Sequence, residues 1–295
     1  MRAAAILGLG CSPRNLKPFQ SDASVECRMG MPASHDEADA ILLFGGDGTI
    51  HRHLGQLVKL GLPVLIVPSG SGNDFATSLG LRRVRDSLAA WRNFCAGAQN
   101  IRMIDLGVIT QLGEESTRSP VLGTRYFSCV AGVGIDAAVA ERANRMPRWL
   151  RGHGGYVLSL APAMFTFAPF PMKVFGPEDA GQWAIRSDQP TLIAAFANTP
   201  LYGGGMKIAP KARMDDGLLD VCIVGGVAPL KLFLVFPTVY AGRHLSIKEV
   251  NYFQAPQARV ETEHPMDVYA DGEFVCRTPI EVSIEHAALK IIVPI

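Results

Sequence analysis

The sequence has no surplus of positive charge. Its 28 basic and 27 acidic residues leave a formal net charge of +1. A protein that neutralises a duplex backbone usually carries a basic excess, so nucleic acid is not expected as a partner. There is also no Cys-x-x-Cys pair: the six cysteines (Cys11, Cys27, Cys95, Cys129, Cys222, Cys276) are scattered, and no histidine is spaced with them for a zinc site. Reduced thiols in a cytoplasmic compartment are the plain expectation. Apolar runs of membrane-spanning length are missing. The two longest candidates, 157–170 and 228–242, are broken by Pro162 and by Lys231 and Pro237. The short run Ala3 to Gly10 reads as a buried strand rather than a signal segment. No Walker A lysine motif, protein-kinase catalytic loop or Gly-x-Ser-x-Gly elbow occurs, and there is no repeat or low-complexity tract.

What remains is a chain of 295 residues, 48% hydrophobic and 19% charged, long enough for two domains. Ala40 to Phe44 is continuously apolar, as a strand covered on both faces would be. A glycine-rich turn, Gly45-Gly46-Asp47-Gly48, follows, and then a helix over Thr49 to Leu60 stopped by Gly61. Pro63 to Val67 is a second buried strand. Pro68 to Gly72 forms a second glycine-rich turn, with Asn73 or Asp74 placed to cap the next helix. Strand, loop, helix, repeated, is the signature of a doubly wound α/β unit. Beyond about Gly97 short β-like runs dominate, among them Met103 to Ile109, Tyr126 to Val130, Thr191 to Ala197, Leu219 to Val224, Ile280 to Ile284 and Leu289 to Val293. Helical stretches interrupt them near Asp136 to Arg145, Tyr156 to Phe167 and Leu230 to Tyr240. The expectation is an α/β domain over 1–97 and a β-rich, sandwich-like domain over 98–295.

Both glycine-rich turns fall at the carboxyl ends of neighbouring strands, where open α/β sheets bind ligands. Glycine lets backbone N–H groups approach phosphate oxygens, and a helix start favours an anion. Asp47 does not suit anion binding by itself. A carboxylate there implies either a divalent cation or a hydrogen-bonded brace for the loop. Taken singly, Asp215-Asp216-Gly217 reads as a type I turn and Asp271-Gly272 as a hairpin.

The run ILLFGGDGTI followed by VPSGSGNDFA resembles the diacylglycerol kinase catalytic-domain family, which includes sphingosine kinases and soluble bacterial lipid kinases. GGDGT is shared with NAD kinases and, more loosely, phosphofructokinases. The second motif separates lipid kinases from them. Gly132-Val133-Gly134-Ile135-Asp136-Ala137, the block from Tyr202-Gly203-Gly204-Gly205-Met206 to Leu219-Asp220, and Asp271-Gly272-Glu273 follow in the family's order. The resemblance implies a phosphofructokinase-like N-terminal domain, ATP as phosphoryl donor and Mg²⁺. It implies ATP-phosphate contacts from Gly45, Gly46, Asp47, Gly48, Thr49, Ser71, Gly72, Asn73 and Asp74. Asp271 would be the general base for a lipid hydroxyl, with Glu273 beside it. Asp216, with the backbone carbonyls of Arg213 and Leu218, would hold a structural Mg²⁺, linked to the nucleotide by Asp47 and Asp74. The active site would lie in an interdomain cleft.

The chain departs from the family before GGDGT, where Gly10 to Asn15 replaces an Asn-Pro-rich phosphate loop. It departs again after GGDGT, where His51-Arg52 replaces Asn-Glu. Arg52 is therefore a candidate phosphate contact. Arg142, Arg145, Arg148 and Arg151, with Trp149, read first as a solvated face and second as a headgroup patch. The expected partner is a lipid alcohol at a membrane surface, met transiently, and a homodimer is admitted. A soluble-substrate kinase of the NAD kinase type and an inactive nucleotide or lipid sensor stand as alternatives.

Overall fold

The computed structural model describes residues 1–20, 25–113, 125–145, 162–178 and 182–295. The chain divides into two compact units, Met1–Asp105 with His286–Ile295, and Leu106–Glu285.

In the first unit, strands β1 (Arg2–Leu7), β2 (Glu26–Met29), β3 (Ala40–Gly45) and β4 (Val64–Pro68) pair in parallel in the order β2-β1-β3-β4. Every residue of β3 is buried, as its continuous apolar run requires. Helix α1 (Asp47–Leu60) follows β3 and buries Ile50, Leu54 and Leu57, one face at helical spacing. It ends at Gly61, whose φ of 61° is the left-handed conformation that closes a helix. Helices α2 (Asp74–Ser78) and α3 (Val84–Cys95) follow β4. Trp91 of α3 is 2% exposed and donates its indole N–H to the Phe19 carbonyl at 3.0 Å, fixing the 3₁₀ segment Pro13–Gln20 over the sheet. From β1 the chain goes outward to β2 and then returns past β1 to β3. The carboxyl ends of β1 and β3 therefore flank the point where strand order reverses, which is where such sheets bind ligands.

The second unit is antiparallel. Strand β5 (Ile101–Gln111) leads into it and pairs with β6 (Arg125–Phe127). Around β9 (Trp183–Ala197) lie β7 (Val130–Gly134), β8 (Phe170–Pro177) and β10 (Leu219–Gly225). Strand β11 (Val250–Ala255) pairs with β10, and β12 (Gln257–Thr262) with β8. β13 (Asp267–Ala270) and β14 (Glu273–Arg277) form a hairpin on β7, and β15 (Ile280–Ile292) is the final strand. Phe127, Phe196, Val221, Val260 and Val282 sit in one core, each 0% exposed. Helices α4 (Ile135–Arg145) and α5 (Pro229–Val235) decorate this unit. An α/β unit and a β-rich unit are what the sequence predicts.

Three local expectations differ. Tyr126 to Val130 is two strands, because the chain turns at Ser128-Cys129. Ile280 to Ile284 and Leu289 to Val293 belong to one strand, β15. Leu230 to Tyr240 is an α-helix to Val235 and then a 3₁₀ turn, Phe236–Val239, that takes in Pro237. Most of the Arg142 to Arg151 cluster, and the start of the helix expected from Tyr156, lie outside the described residues.

Candidate active site

Three loops meet at the carboxyl edge of the first unit's sheet. The turn after β1 bonds to β3 through the Gly8 N–H and the Phe44 carbonyl at 2.6 Å. The turn after β3 bonds to the turn after β4 twice, Ser69 N–H to Gly45 O at 3.1 Å and Asp47 N–H to Gly72 O at 3.1 Å. These contacts explain the glycines. A Cβ on Gly46 would stand 2.3 Å from Gly72 O and 2.8 Å from Gly70 Cα, and one on Gly70 would stand 2.3 Å from Gly46 Cα. The two loops touch backbone to backbone, and no side chain fits between them. Thr49 fills a similar gap: a Cβ on Gly8 or Gly45 would meet its side chain at 2.8 Å and 2.6 Å.

Asp47 is the brace that the sequence left open. Its carboxylate accepts the N–H of Asp74 at 3.0 Å (Oδ2) and of Phe75 at 3.2 Å (Oδ1), at the start of helix α2. It thereby satisfies helix donors that lack partners within the helix. Asn73 does not cap with its side chain. Instead its amide closes the loop on Gly70, accepting from Gly70 N at 3.1 Å and donating to Gly70 O at 2.8 Å. Ser71 is exposed beside it, Gly72 is half-buried and Asp74 is buried, 8% exposed. Arg52 is exposed on α1 and its Nε donates to the Gly48 carbonyl at 2.9 Å, so the guanidinium is drawn back to the glycine loop. The segment in place of the usual phosphate loop starts a 3₁₀ turn, with Asn15 Oδ1 accepting from Ser12 N at 2.8 Å.

In the second unit Asp271 and Gly272 form the two-residue turn between β13 and β14, with φ of 51° and 83°. Two positive φ values in a two-residue hairpin loop are what Asp-Gly accommodates. The Asp271 side chain does more than make the turn. Its carboxylate takes Ser128 N at 2.8 Å, Ser128 Oγ at 3.0 Å, Cys129 N at 2.8 Å and Val130 N at 3.4 Å. Glu273 opens β14 opposite Ala270 and is half-buried. Ser128 was not visible as a partner in the sequence, since it lies 143 positions away.

The loop 213–218 holds the expected metal residues. Asp216 Oδ1 accepts the N–H of Leu218 at 3.1 Å, and the Arg213 guanidinium is turned onto Asp215, Nε to Oδ1, at 3.2 Å. Just beyond, Asp220 is 0% exposed and accepts from Tyr252 and Gln254. Burial pushes the Asp220 carboxyl up, those two hydrogen bonds lower it, and the Asp216 charge raises it again. Among the described residues no cluster of three or more His, Cys, Asp or Glu could hold a metal. A cation here would rely on one carboxylate and backbone carbonyls. That donor set fits Mg²⁺, which commonly takes one or two carboxylates and keeps several waters.

An apolar cavity, open to solvent at its mouth, also lies within the second unit. Leu192, Ile193, Met206, Ile208 and Val224 are among its walls, and Asp136, Tyr202 and His244 bring the polar atoms. The glycine motifs build it. A Cβ on Gly132 would stand 2.5 Å from Asp136 Oδ2, and Gly134, at φ of 116°, lies against β9, where a Cβ would meet Leu192 O at 2.4 Å. Gly203, Gly204 and Gly205 all have positive φ, and the loop they form lets Tyr202 and Met206 exchange two 3.0 Å backbone bonds at the cavity wall. His244 is 3% exposed, and its Nε2 lies 3.0 Å from the Ile208 carbonyl while Nδ1 has no hydrogen-bond partner.

Two family models match the chain. The diacylglycerol kinase catalytic domain covers residues 20–109, and the YegS C-terminal NAD kinase beta sandwich-like domain covers 129–293. Among curated proteins the chain is 35% identical to a diacylglycerol kinase of Mycobacterium tuberculosis over 259 residues, 87% of this chain and 77% of that one. It is 28% identical to a "Probable lipid kinase YegS-like" of Chromohalobacter salexigens over 271 residues, 90% of this chain and 80% of that one. A crystal structure of a diacylglycerol kinase from Bacillus anthracis superposes with a TM-score of 0.69 at 20% identity, covering 99% of this chain and 96% of that one, which establishes a shared fold.

Proposed function

Because this chain belongs to the diacylglycerol kinase catalytic-domain family, we propose that it is an ATP-dependent lipid kinase that moves the γ-phosphoryl group to a lipid hydroxyl. The observation that carries the lipid half of this reading is the cavity. Its walls are aliphatic and aromatic, with only a few polar groups. A soluble acceptor such as NAD would leave its own polar groups unpaired against such walls, whereas a lipid tail buries apolar surface there.

Phosphoryl transfer needs positioning and charge neutralisation more than covalent help from the protein. The glycine loops of the first unit, braced by Asp47, supply N–H groups and a helix start for the ATP phosphates. Gly45, Gly46, Gly48, Thr49, Ser71, Gly72, Asn73 and Asp74 are the backbone and hydroxyl contacts in this reading. Arg52 already leans on the Gly48 carbonyl and neutralises phosphate charge beside it.

Asp271 receives the acceptor hydroxyl, and Glu273 stands next to it. The four donors fix the Asp271 carboxylate in one orientation. A loose transition state develops little need for early proton removal, so orienting the hydroxyl is the larger part of its task. The 3.4 Å contact from Val130 is the weakest of the four and the one most readily replaced by a substrate hydroxyl. Asp216 and the carbonyls of Arg213 and Leu218 would hold Mg²⁺, which would supply positive charge to offset that of the ATP phosphates. The enzyme works on lipid at a membrane surface from the cytoplasmic side.

The test is to fill the cavity. Val224→Phe should abolish phosphorylation of long-chain lipid alcohols and leave ATP binding as in wild type. Undiminished lipid phosphorylation in that variant would remove the cavity from the account.

A further inference from the structure

Helix α5, Pro229-Leu-Lys-Leu-Phe-Leu-Val235, is apolar on every side. None of its seven residues is buried. Its one charged side chain, Lys231, is tied to Glu249 at 2.7 and 2.8 Å. A helix on a water-facing surface ordinarily has a polar face, and this one has none. Leu232 and Val235, three residues apart, turn inward and line the cavity. Leu230, Phe233 and Leu234, at helical spacing on the other side, are 67%, 51% and 67% exposed. The short helix 162–166 repeats the division: Met164 lines the cavity, and Phe165 is 58% exposed. The Phe165 and Phe233 rings lie 6.2 Å apart, so the two outward faces make one patch.

We propose that Leu230, Phe233, Leu234 and Phe165 insert into the surface of a lipid bilayer, holding the cavity against the membrane from which its lipid comes. The choice of a bilayer as occupant rests on the lipid-kinase reading and on two features of the patch. First, its inner side is the cavity wall, so a lipid tail leaving the bilayer along these helices stays on apolar surface. Second, it is small. Four side chains exposed by 51–67% offer on the order of 500 Å², whereas a stable protein interface needs about 800 Å² from each partner. Shallow insertion of one apolar helix face needs no more than this. With Lys231 already paired, attachment through the patch is carried by apolar contact and not by counter-charge.

The experiment is sedimentation of the full chain with phosphatidylcholine vesicles, with and without phosphatidylglycerol, at low and high salt. Wild type should sediment with both kinds and remain bound at high salt. The combined variant Leu230→Ser, Phe233→Ser, Leu234→Ser should bind at least about ten-fold more weakly, with an unchanged melting temperature because no buried contact is lost. Phe165→Ser should weaken binding by less and serves as the second probe if the triple variant does not fold. Phosphorylation of a short-chain lipid alcohol dispersed in water should be the same in variant and wild type, while that of a long-chain alcohol held in vesicles should fall. Equal vesicle binding by wild type and both variants would overturn the proposal, as would a wild-type dimer that the substitutions turn into a monomer. Vesicle binding needs no ATP. A wild type that binds vesicles but phosphorylates no lipid would contradict the kinase reading and leave the docking surface standing.

Discussion

The Asp47 carboxylate, one residue into helix α1, accepts the backbone N–H of Asp74 at the start of helix α2, at 3.0 Å. One side chain thus joins the two glycine loops. Replacing it by alanine removes the bonds to both Asp74 and Phe75. Asp47→Ala should cost about 1–2 kcal/mol of stability, the range of a lost helix cap, and should weaken ATP binding because the loop spacing relaxes. Thermal denaturation with and without ATP measures both. An unchanged melting temperature would mean the brace carries no stability.

The glycines give a paired prediction on the same helix. Gly46→Ala places a Cβ 2.3 Å from a backbone oxygen that has little room to move. It should destabilise by about 2 kcal/mol or more and reduce nucleotide affinity. Gly55, in the middle of helix α1, has nothing within 4 Å of its would-be Cβ. Gly55→Ala should stabilise by about 0.5–1 kcal/mol. Denaturant titration of the two variants should move the midpoint in opposite directions.

These contacts mark how far the sequence could be read. The buried strands β3 and β4 are visible as AILLF and PVLIV because both faces are covered and no polar residue interrupts them. Strand β2 went unread. It is only Glu-Cys-Arg-Met at the sheet edge, and an edge strand with exposed side chains carries no hydrophobic signal. β15 looks like two strands because Glu285-His286-Ala287 breaks its pattern. There the chain passes from the second unit back to the first. Ala287 has φ of 52°, and its N–H, with His286 Nδ1, lies on the buried Asp105 carboxylate at 2.7 and 2.8 Å. The glycine motifs were legible as motifs, but their reason was not. Gly46 and Gly70 are there for contact between loops, which no linear spacing reveals. The cavity was illegible for a similar reason, since its walls come from widely separated segments.

Asp271→Asn separates chemistry from architecture. The variant should lower the rate of phosphoryl transfer by about 10²–10⁴ with ATP affinity retained. An amide accepts fewer hydrogen bonds than a carboxylate, so a lower melting temperature should accompany the loss. Ser128→Ala removes one of the four donors to Asp271, together with the 3.9 Å contact from Ser128 Oγ to Cys129 Sγ, and leaves the three backbone donors in place. It should keep most of the activity. A full rate in Asp271→Asn would reduce Asp271 to a turn residue.

The burial of His244 predicts the sign of a pH dependence. Burial holds its imidazole below the ordinary range, against a raising contribution from the Ile208 carbonyl. Its folded pKa therefore lies below the unfolded value of about 6.5. The unfolded chain then binds the extra proton more readily, so the stability this residue contributes is present above pH ~6.5 and is lost as pH falls toward the folded pKa. Melting temperatures across that window should decline toward acid. His244→Gln should flatten the decline, and an unchanged slope would assign it to other groups.

The most direct measurement is transfer of labelled γ-phosphate from Mg²⁺-ATP to a panel of diacylglycerol, sphingoid base, phosphatidylglycerol and undecaprenol-type alcohols in mixed micelles, with NAD as the soluble comparison. The account predicts label on at least one lipid alcohol and none on NAD, with the lipid product lost in Asp271→Asn. Label on NAD and on no lipid would contradict it.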